Sequence, residues 1–184
     1  LTGSRHSPES MLRSIDWLLE MMQKVWLQNS EIELWLIGET SNMVKRVCKN
    51  EKRIHLLGYI QYENILPYYS LFDIALYPRV TDVQGRHSIK LLEYMACGLP
   101  IVSTAVSEAF HVRDSGAGII CPDQDKFIQA VVHLAERDEL RQKLGDRGRE
   151  YATAFDWNEI AYSYDKILID CVESDQFGSF DLNK

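Results

Sequence analysis

Short apolar runs, most of them stopped by glycine or proline, alternate along this chain with longer segments of helical period. Ile32–Ile37 closes at Gly38, Arg53–Leu57 closes at Gly58, and Asp73–Tyr77 stops at Pro78. Pro100–Thr104 and Gly116–Cys121 complete the series. Consecutive apolar residues in runs this short describe strands covered on both faces, and strands that alternate with helices pair in parallel. The pattern therefore predicts an α/β fold: a Rossmann-like parallel sheet with helices on both faces. Ligands of such sheets bind outside the carboxyl ends of the strands. The residues after Gly38, Gly58 and Pro78 are expected at that rim.

The helical segments carry their own signals. Leu1–His6 reads as the end of a strand and a turn, and Ser7-Pro8-Glu9 starts a helix with a capping serine and a proline in its first turn. Ile15, Leu18, Leu19 and Met22 give that helix its apolar face, with Val25 and Trp26 one turn on. Further helices are expected over 42–49, 62–71, 88–97, 107–114, 124–136, 139–155 and 157–173. Pro67 divides the second of these into two short turns. The last carries Ile160, Tyr164, Ile167 and Leu168 on one side. Residues 1–173 form one lobe, and 174–184 form a polar, frayed tail.

Composition excludes several classes. The chain has 184 residues, enough for one domain or one lobe with a real core, and a net charge of -7. That charge argues against a broad nucleic-acid surface. No run reaches the roughly 20 apolar residues of a membrane span. Cys48, Cys97, Cys121 and Cys171 show neither a C-x-x-C pair nor a zinc spacing, and read as reduced thiols of a cytoplasmic protein. No His-x-x-x-His or Glu-x-x-His pattern suggests a metal. No nucleophile stands beside a base, so covalent catalysis has no support. His55 reads as a strand residue, His6 as a loop residue, and His111 and His133 as helix residues.

One segment carries chemistry: His87-Ser-Ile-Lys-Leu-Leu-Glu-Tyr-Met-Ala-Cys-Gly-Leu-Pro-Ile-Val102. A loop leads into a helix that ends at a Gly-x-Pro break. The start of a helix offers unpaired backbone N–H groups and a partial positive charge, which together seat a phosphate. Helical side chains lean toward the N-terminus, so Glu93 leans back toward that mouth. A carboxylate there accepts hydrogen bonds from sugar hydroxyls. Leu91, Leu92, Met95 and Ala96 are the expected apolar stripe. Lys90 and Glu93 lie on the other side, where a plain surface ion pair is the competing reading. His87 stands at the mouth as a phosphate donor or as a simple turn residue.

Leu92-Glu-Tyr-Met-Ala-Cys-Gly-Leu-Pro-Ile-Val102 resembles the donor-binding motif of glycosyltransferase family 4, the group 1 glycosyltransferases. Leu34-Trp-Leu-Ile-Gly38, Ile54-His-Leu-Leu-Gly58 and Tyr68–Pro78 are similar to that family's successive strands. Thr2-Gly-Ser4, Gly116-Ala-Gly118 and Phe155-Asp-Trp157 match in order as well. The resemblance covers about residues 1–173 and implies the C-terminal, donor-binding lobe of a two-lobed GT-B enzyme. An N-terminal acceptor lobe would then lie outside this chain. It further implies transfer of a sugar from a nucleotide diphosphate sugar, UDP- or GDP-linked, to an acceptor glycan, lipid or small molecule. Anomeric configuration is retained, with no metal and no separate cofactor.

By the same resemblance Glu93 holds the ribose, and His87, Ser88 and Ile89 present amides to the diphosphate, with Lys90 alongside. Tyr59 and Ile60 border the base, and Gly38 closes the first strand of the rim. The family often adds cationic clamps. Arg5 and Arg79 are the candidates here, although Arg5 reads first as a solvated loop residue. Many members carry a second acidic residue eight positions before the ribose glutamate, and this chain has Gly85 there. The residue facing the donor sugar is thus unassigned. Two alternatives follow: a lobe without chemistry that serves as a binding or assembly module, and a sugar-nucleotide epimerase.

Overall fold

The computed structural model describes residues 8–85 and 87–173. Its elements run α1 (Pro8–Gln28), β1 (Leu34–Ile37), α2 (Asn42–Cys48) and β2 (Ile54–Gly58). A 3₁₀ turn (Tyr62–Asn64), α3 (Leu66–Tyr69), β3 (Ala75–Tyr77), α4 (Ile89–Ala96) and β4 (Ile101–Thr104) follow. A second 3₁₀ turn (Ser107–Ala109) leads to α5 (Phe110–Ser115), β5 (Gly118–Cys121), α6 (Gln124–Ala135), α7 (Asp138–Thr153) and α8 (Trp157–Glu173). The alternation expected from the apolar runs is present, and Pro67 does split its segment into two short turns.

All strand pairs among the described residues are parallel. β1 pairs with β2, and β3, β4 and β5 pair in that order as a separate sheet. The single sheet expected from sequence is therefore two sheets here. They share one layer, because both contribute to both apolar cores. Leu34 and Leu36 of β1 join Val102 of β4 in a core with α1 and α6. Ile37 of β1 joins Ala75 of β3 and Ile101 of β4 in a second core, with Leu91 and Met95 of α4 and Val112 of α5. Successive strand residues point to opposite faces, so strands buried on both sides need apolar residues at consecutive positions.

Helix α1 buries Ile15, Leu18, Leu19, Met22, Val25 and Trp26, the face read from its spacing. Elsewhere the boundaries shift for identifiable reasons. Gly116 does not open β5. It sits in the left-handed region (φ 62) and ends α5, a position that favours glycine. On α4 the buried side chains are Leu91, Tyr94 and Met95, whereas Ala96 is exposed. On α8 the expected apolar side faces outward: Tyr164, Ile167 and Leu168 are exposed and Ile160 is half-buried. Periodicity locates an apolar stripe and says nothing about what covers it.

The most extensive helix–helix contact joins α4 to α7. Glycine makes it close: a Cβ at Gly145 would lie 2.1 Å from the carbonyl oxygen of Gly98, just past the end of α4. Gly145→Ala forces these backbones apart. Overpacking of this kind costs about 1–3 kcal/mol, and 2 kcal/mol lowers the Tm of a domain this size by roughly 4–8 °C. Calorimetry of the variant checks this; an unchanged Tm would mean that the contact yields without cost.

Candidate functional site

The carboxyl ends of β1 and β2 meet, with the Gly38 N–H donating to the Gly58 carbonyl over 2.7 Å. Gly38 and Gly58 both have positive φ, and the space a Cβ would take at Gly58 is open. Beyond it, Tyr59 is 71% exposed and Ile60 is half-buried. This is the edge where the resemblance puts the base.

The end of β3 is joined to the end of β4 by Thr104. Its Oγ1 accepts from the Arg79 N–H at 2.9 Å and donates to the Arg79 carbonyl at 2.7 Å. The loop between β3 and α4 is held further on by Asp82, whose carboxylate accepts from the Ser107 N–H at 2.8 Å. Beneath it lies Glu108, 1% exposed. One Glu108 oxygen accepts from the Tyr77 hydroxyl, and the other faces the Arg79 guanidinium at 3.6 Å. Arg79 is itself largely buried, and its Nε has no hydrogen-bond partner among the described residues. Burial, then the bond to Glu108, pushes the Tyr77 hydroxyl up to about 12, while a bond with Ser88 acts the other way.

These contacts decide what the start of α4 can do. The Ser88 side chain is turned to Tyr77, and α4 has no side-chain cap. The helix thus begins without a side-chain cap, and a helix start is where backbone N–H groups seat an anion. The Leu91 N–H is already bonded to the Ser88 carbonyl at 3.1 Å. Ile89 is 66% exposed beside the opening, and Lys90 is half-buried. His87 is exposed, its ring edge-on to Phe110 at 5.0 Å and to His111 at 5.8 Å.

Glu93, one turn into α4, is half-buried between two tyrosines. The Tyr69 hydroxyl donates to its carboxylate over 3.4 Å, a long bond. The Glu93 charge, ahead of burial and a hydrogen bond to the same carboxylate, holds the Tyr62 hydroxyl above its ordinary value. An ionised carboxylate accepts about four hydrogen bonds, so capacity for two sugar hydroxyls remains.

The sequence-derived residues thus fall into connected groups: Gly38 with Gly58 and Tyr59, Glu93 with Tyr62 and Tyr69, and Arg79 with Ser88 through Glu108 and Tyr77. Arg79, a candidate clamp by sequence, faces Glu108 in a buried ion pair. Arg5 lies outside the described residues. Gly85 is exposed with φ 72 and places no carboxylate near the opening. Glu108, Tyr62 and Tyr69 were not singled out for the site from sequence. Glu108 sits in the loop after β4, where its charge among apolar neighbours was the available signal. No group of metal-binding side chains occurs among the described residues.

A two-core parallel layer with this rim is the fold of one lobe of a GT-B glycosyltransferase. The model for the family described as glycosyl transferases group 1 matches residues 5–137, and the chain belongs to that family. N-acetyl-alpha-D-glucosaminyl L-malate synthase of Bacillus anthracis is 27% identical over 157 residues, covering 80% of this chain and 40% of that protein. D-inositol 3-phosphate glycosyltransferase of Saccharomonospora viridis is 29% identical over 98 residues, covering 52% of this chain and 22% of that protein. The solved pneumococcal O-GlcNAc transferase GtfA, in complex with UDP and GlcNAc, superposes with a TM-score of 0.73 at 19% identity. That superposition covers 93% of this chain and 35% of GtfA. The chain spans two fifths or less of the length of these curated relatives.

Two outcomes follow from the buried groups. Glu108→Ala leaves Arg79 buried without its counter-charge. Removing one partner of a buried pair costs about 3–5 kcal/mol. The double variant Arg79→Met, Glu108→Leu recovers most of that loss in urea unfolding; a loss under about 1 kcal/mol in Glu108→Ala would mean that the pair holds nothing.

The second concerns His111, 1% exposed, whose Nδ1 lies 3.2 Å from the Tyr151 hydroxyl. Burial, then the charge of His87, lowers its pKa. Below the ordinary imidazole value of about 6.5 the unfolded chain then binds more protons than the folded one. This contribution to stability is complete above about pH 6.5 and declines as pH falls below it. Tm should drop between pH 7 and 5.5 more steeply in the wild type than in His111→Gln; equal slopes would contradict this.

Proposed function

We propose that this chain is the donor-nucleotide lobe, residues 1–173, of a retaining and metal-independent glycosyltransferase of the cytoplasm. Its substrate is a UDP- or GDP-linked sugar, with no further cofactor. The sugar passes to an acceptor glycan, lipid or small molecule held by a second, N-terminal lobe. The observation that carries this reading is the uncapped start of α4 with Glu93 one turn further in. Membership of the group 1 family supports it.

The chemistry asked of these residues is electrostatic. In transfer the bond from the anomeric carbon to the diphosphate oxygen breaks, and a bond to the acceptor oxygen forms. Charge collects on the departing diphosphate. The amides at Ser88–Lys90 and the positive end of α4 are oriented before the reaction, so they stabilise that charge without reorganising. Glu93 accepts from the ribose hydroxyls and fixes the nucleotide's position. Tyr59 and Ile60 flank the base. Arg79, committed to Glu108, stiffens the loop entering α4 rather than gripping phosphate. The lobe alone binds nucleotide but transfers negligibly, because the acceptor site is elsewhere.

Calorimetric titration with UDP and GDP tests the reading. A hydrogen bond to a charged group contributes about 1.5–3 kcal/mol, so Glu93→Ala should weaken nucleotide binding by roughly one to two orders of magnitude. Circular dichroism should be unchanged. A folded Glu93→Ala variant with wild-type affinity would remove Glu93 from the ribose.

A further inference from the structure

Tyrosine hydroxyls from outside α4 meet the Glu93 carboxylate. Tyr69, at the end of α3, donates to it over 3.4 Å. Tyr62, in the 3₁₀ turn after β2, bonds the same carboxylate. The two tyrosines are held differently. Tyr69 is 1% exposed and belongs to the core that contains Leu91, Tyr94 and Met95 of α4. Its ring stands edge-on to Tyr94 at 5.2 Å and tilted to Phe72 at 6.4 Å. Tyr62 is 67% exposed.

Close packing fixes the torsions of a buried ring, so the Tyr69 hydroxyl is a donor at a set position. A glutamate side chain is different. It has several rotatable bonds, and freezing them when a ligand arrives costs affinity. A donor already in place removes part of that cost, because it holds the carboxylate where the ligand will meet it. The ring of Tyr69 is sufficient to pack α3 against α4. Its hydroxyl is not needed for that packing, and taking a hydroxyl out of water is unfavourable without a partner. Glu93 takes a bond from that hydroxyl.

The same contact links two parts of the nucleotide seat. Tyr59 and Ile60, at the edge expected for the base, open the segment that continues through Tyr62 to Tyr69. Glu93 stands on α4. The bond from Tyr69 to Glu93, with the ring contact to Tyr94 beside it, therefore ties the base side to the ribose side.

We propose that Tyr69 is a positioning residue for nucleotide binding: its hydroxyl holds the Glu93 carboxylate toward the ribose hydroxyls, and Tyr62 supports the same carboxylate from the exposed turn after β2. The proposal rests on the placement of the ribose at Glu93. The bond from Tyr69 is long, so it contributes less than a short bond to a charged acceptor.

Calorimetric titration tests this with UDP or GDP, whichever binds more tightly, and with the dideoxy form of that nucleotide, which lacks both ribose hydroxyls. Tyr69→Phe keeps the ring and removes the hydroxyl. The ratio of the two affinities should fall roughly three- to tenfold from its wild-type value, the effect of one ordinary protein hydrogen bond. Affinity for the dideoxy form should change by less than about twofold, since that form makes no bond to Glu93. Tyr62→Phe, at an exposed position, should lower the ratio in the same sense. Equal losses for both nucleotides in Tyr69→Phe would mean that the residue only packs, and would overturn the proposal. An unchanged ratio in either folded variant overturns it too; if Glu93→Ala still weakens nucleotide binding, the ribose reading survives. Wild-type affinity in a folded Glu93→Ala variant removes the ribose reading and this proposal with it. If Tyr69→Phe does not fold, the ratio in Tyr62→Phe decides.

Discussion

The candidate site depends on how α4 is held. One side of this eight-residue helix is buried through Leu91, Tyr94 and Met95. Its far end is pressed against α7, where Gly145 and Gly148 permit near-contact of backbones. A helix clamped along its length and at its C-terminus has little freedom at its start. The packing of α4 thus sets where Ser88–Lys90 stand on the rim. A fixed opening is what electrostatic stabilisation requires, because donors that must first be oriented lose their advantage.

The charges around the opening are arranged economically. The protein carries a net charge of -7 and yet is proposed to bind a diphosphate. Arg79, in the loop that precedes α4, is paired with Glu108 inside the protein. The helix start itself offers an anion a partial charge formed by backbone groups. Glu108 serves this arrangement indirectly. It accepts from Tyr77, which also bonds Ser88, and the Ser88 side chain makes no cap bond to the helix it precedes. The capping residue is present in sequence, but its side chain is diverted.

Much of the fold was readable in the sequence because it rests on local signals. Apolar runs ended by Gly38, Gly58 and Pro78 became β1, β2 and β3, and the spacing of Ile15, Leu18, Leu19 and Met22 identified the buried face of α1. Glu93 was singled out because its motif is contiguous. What the sequence did not disclose is nonlocal. That Arg79 turns inward depends on Glu108, nearly thirty residues away, and the tyrosines beside Glu93 come from the turn after β2 and from α3. The division into two sheets was likewise invisible, since an apolar run shows that a strand is buried but not which neighbours it has. The exposed side of α8 makes the same point: its period is helical, and its covering is not encoded locally.

The central claim is that the amides at the start of α4 and the Glu93 carboxylate form one nucleotide seat. Its most direct test is a titration of isotope-labelled protein with UDP, followed by amide resonances. The account predicts the largest shifts at Ile89 and Lys90, with smaller ones at Glu93, Gly38 and Tyr59. Shifts confined to Leu34–Ile37, with residues 88–93 unmoved, would contradict it.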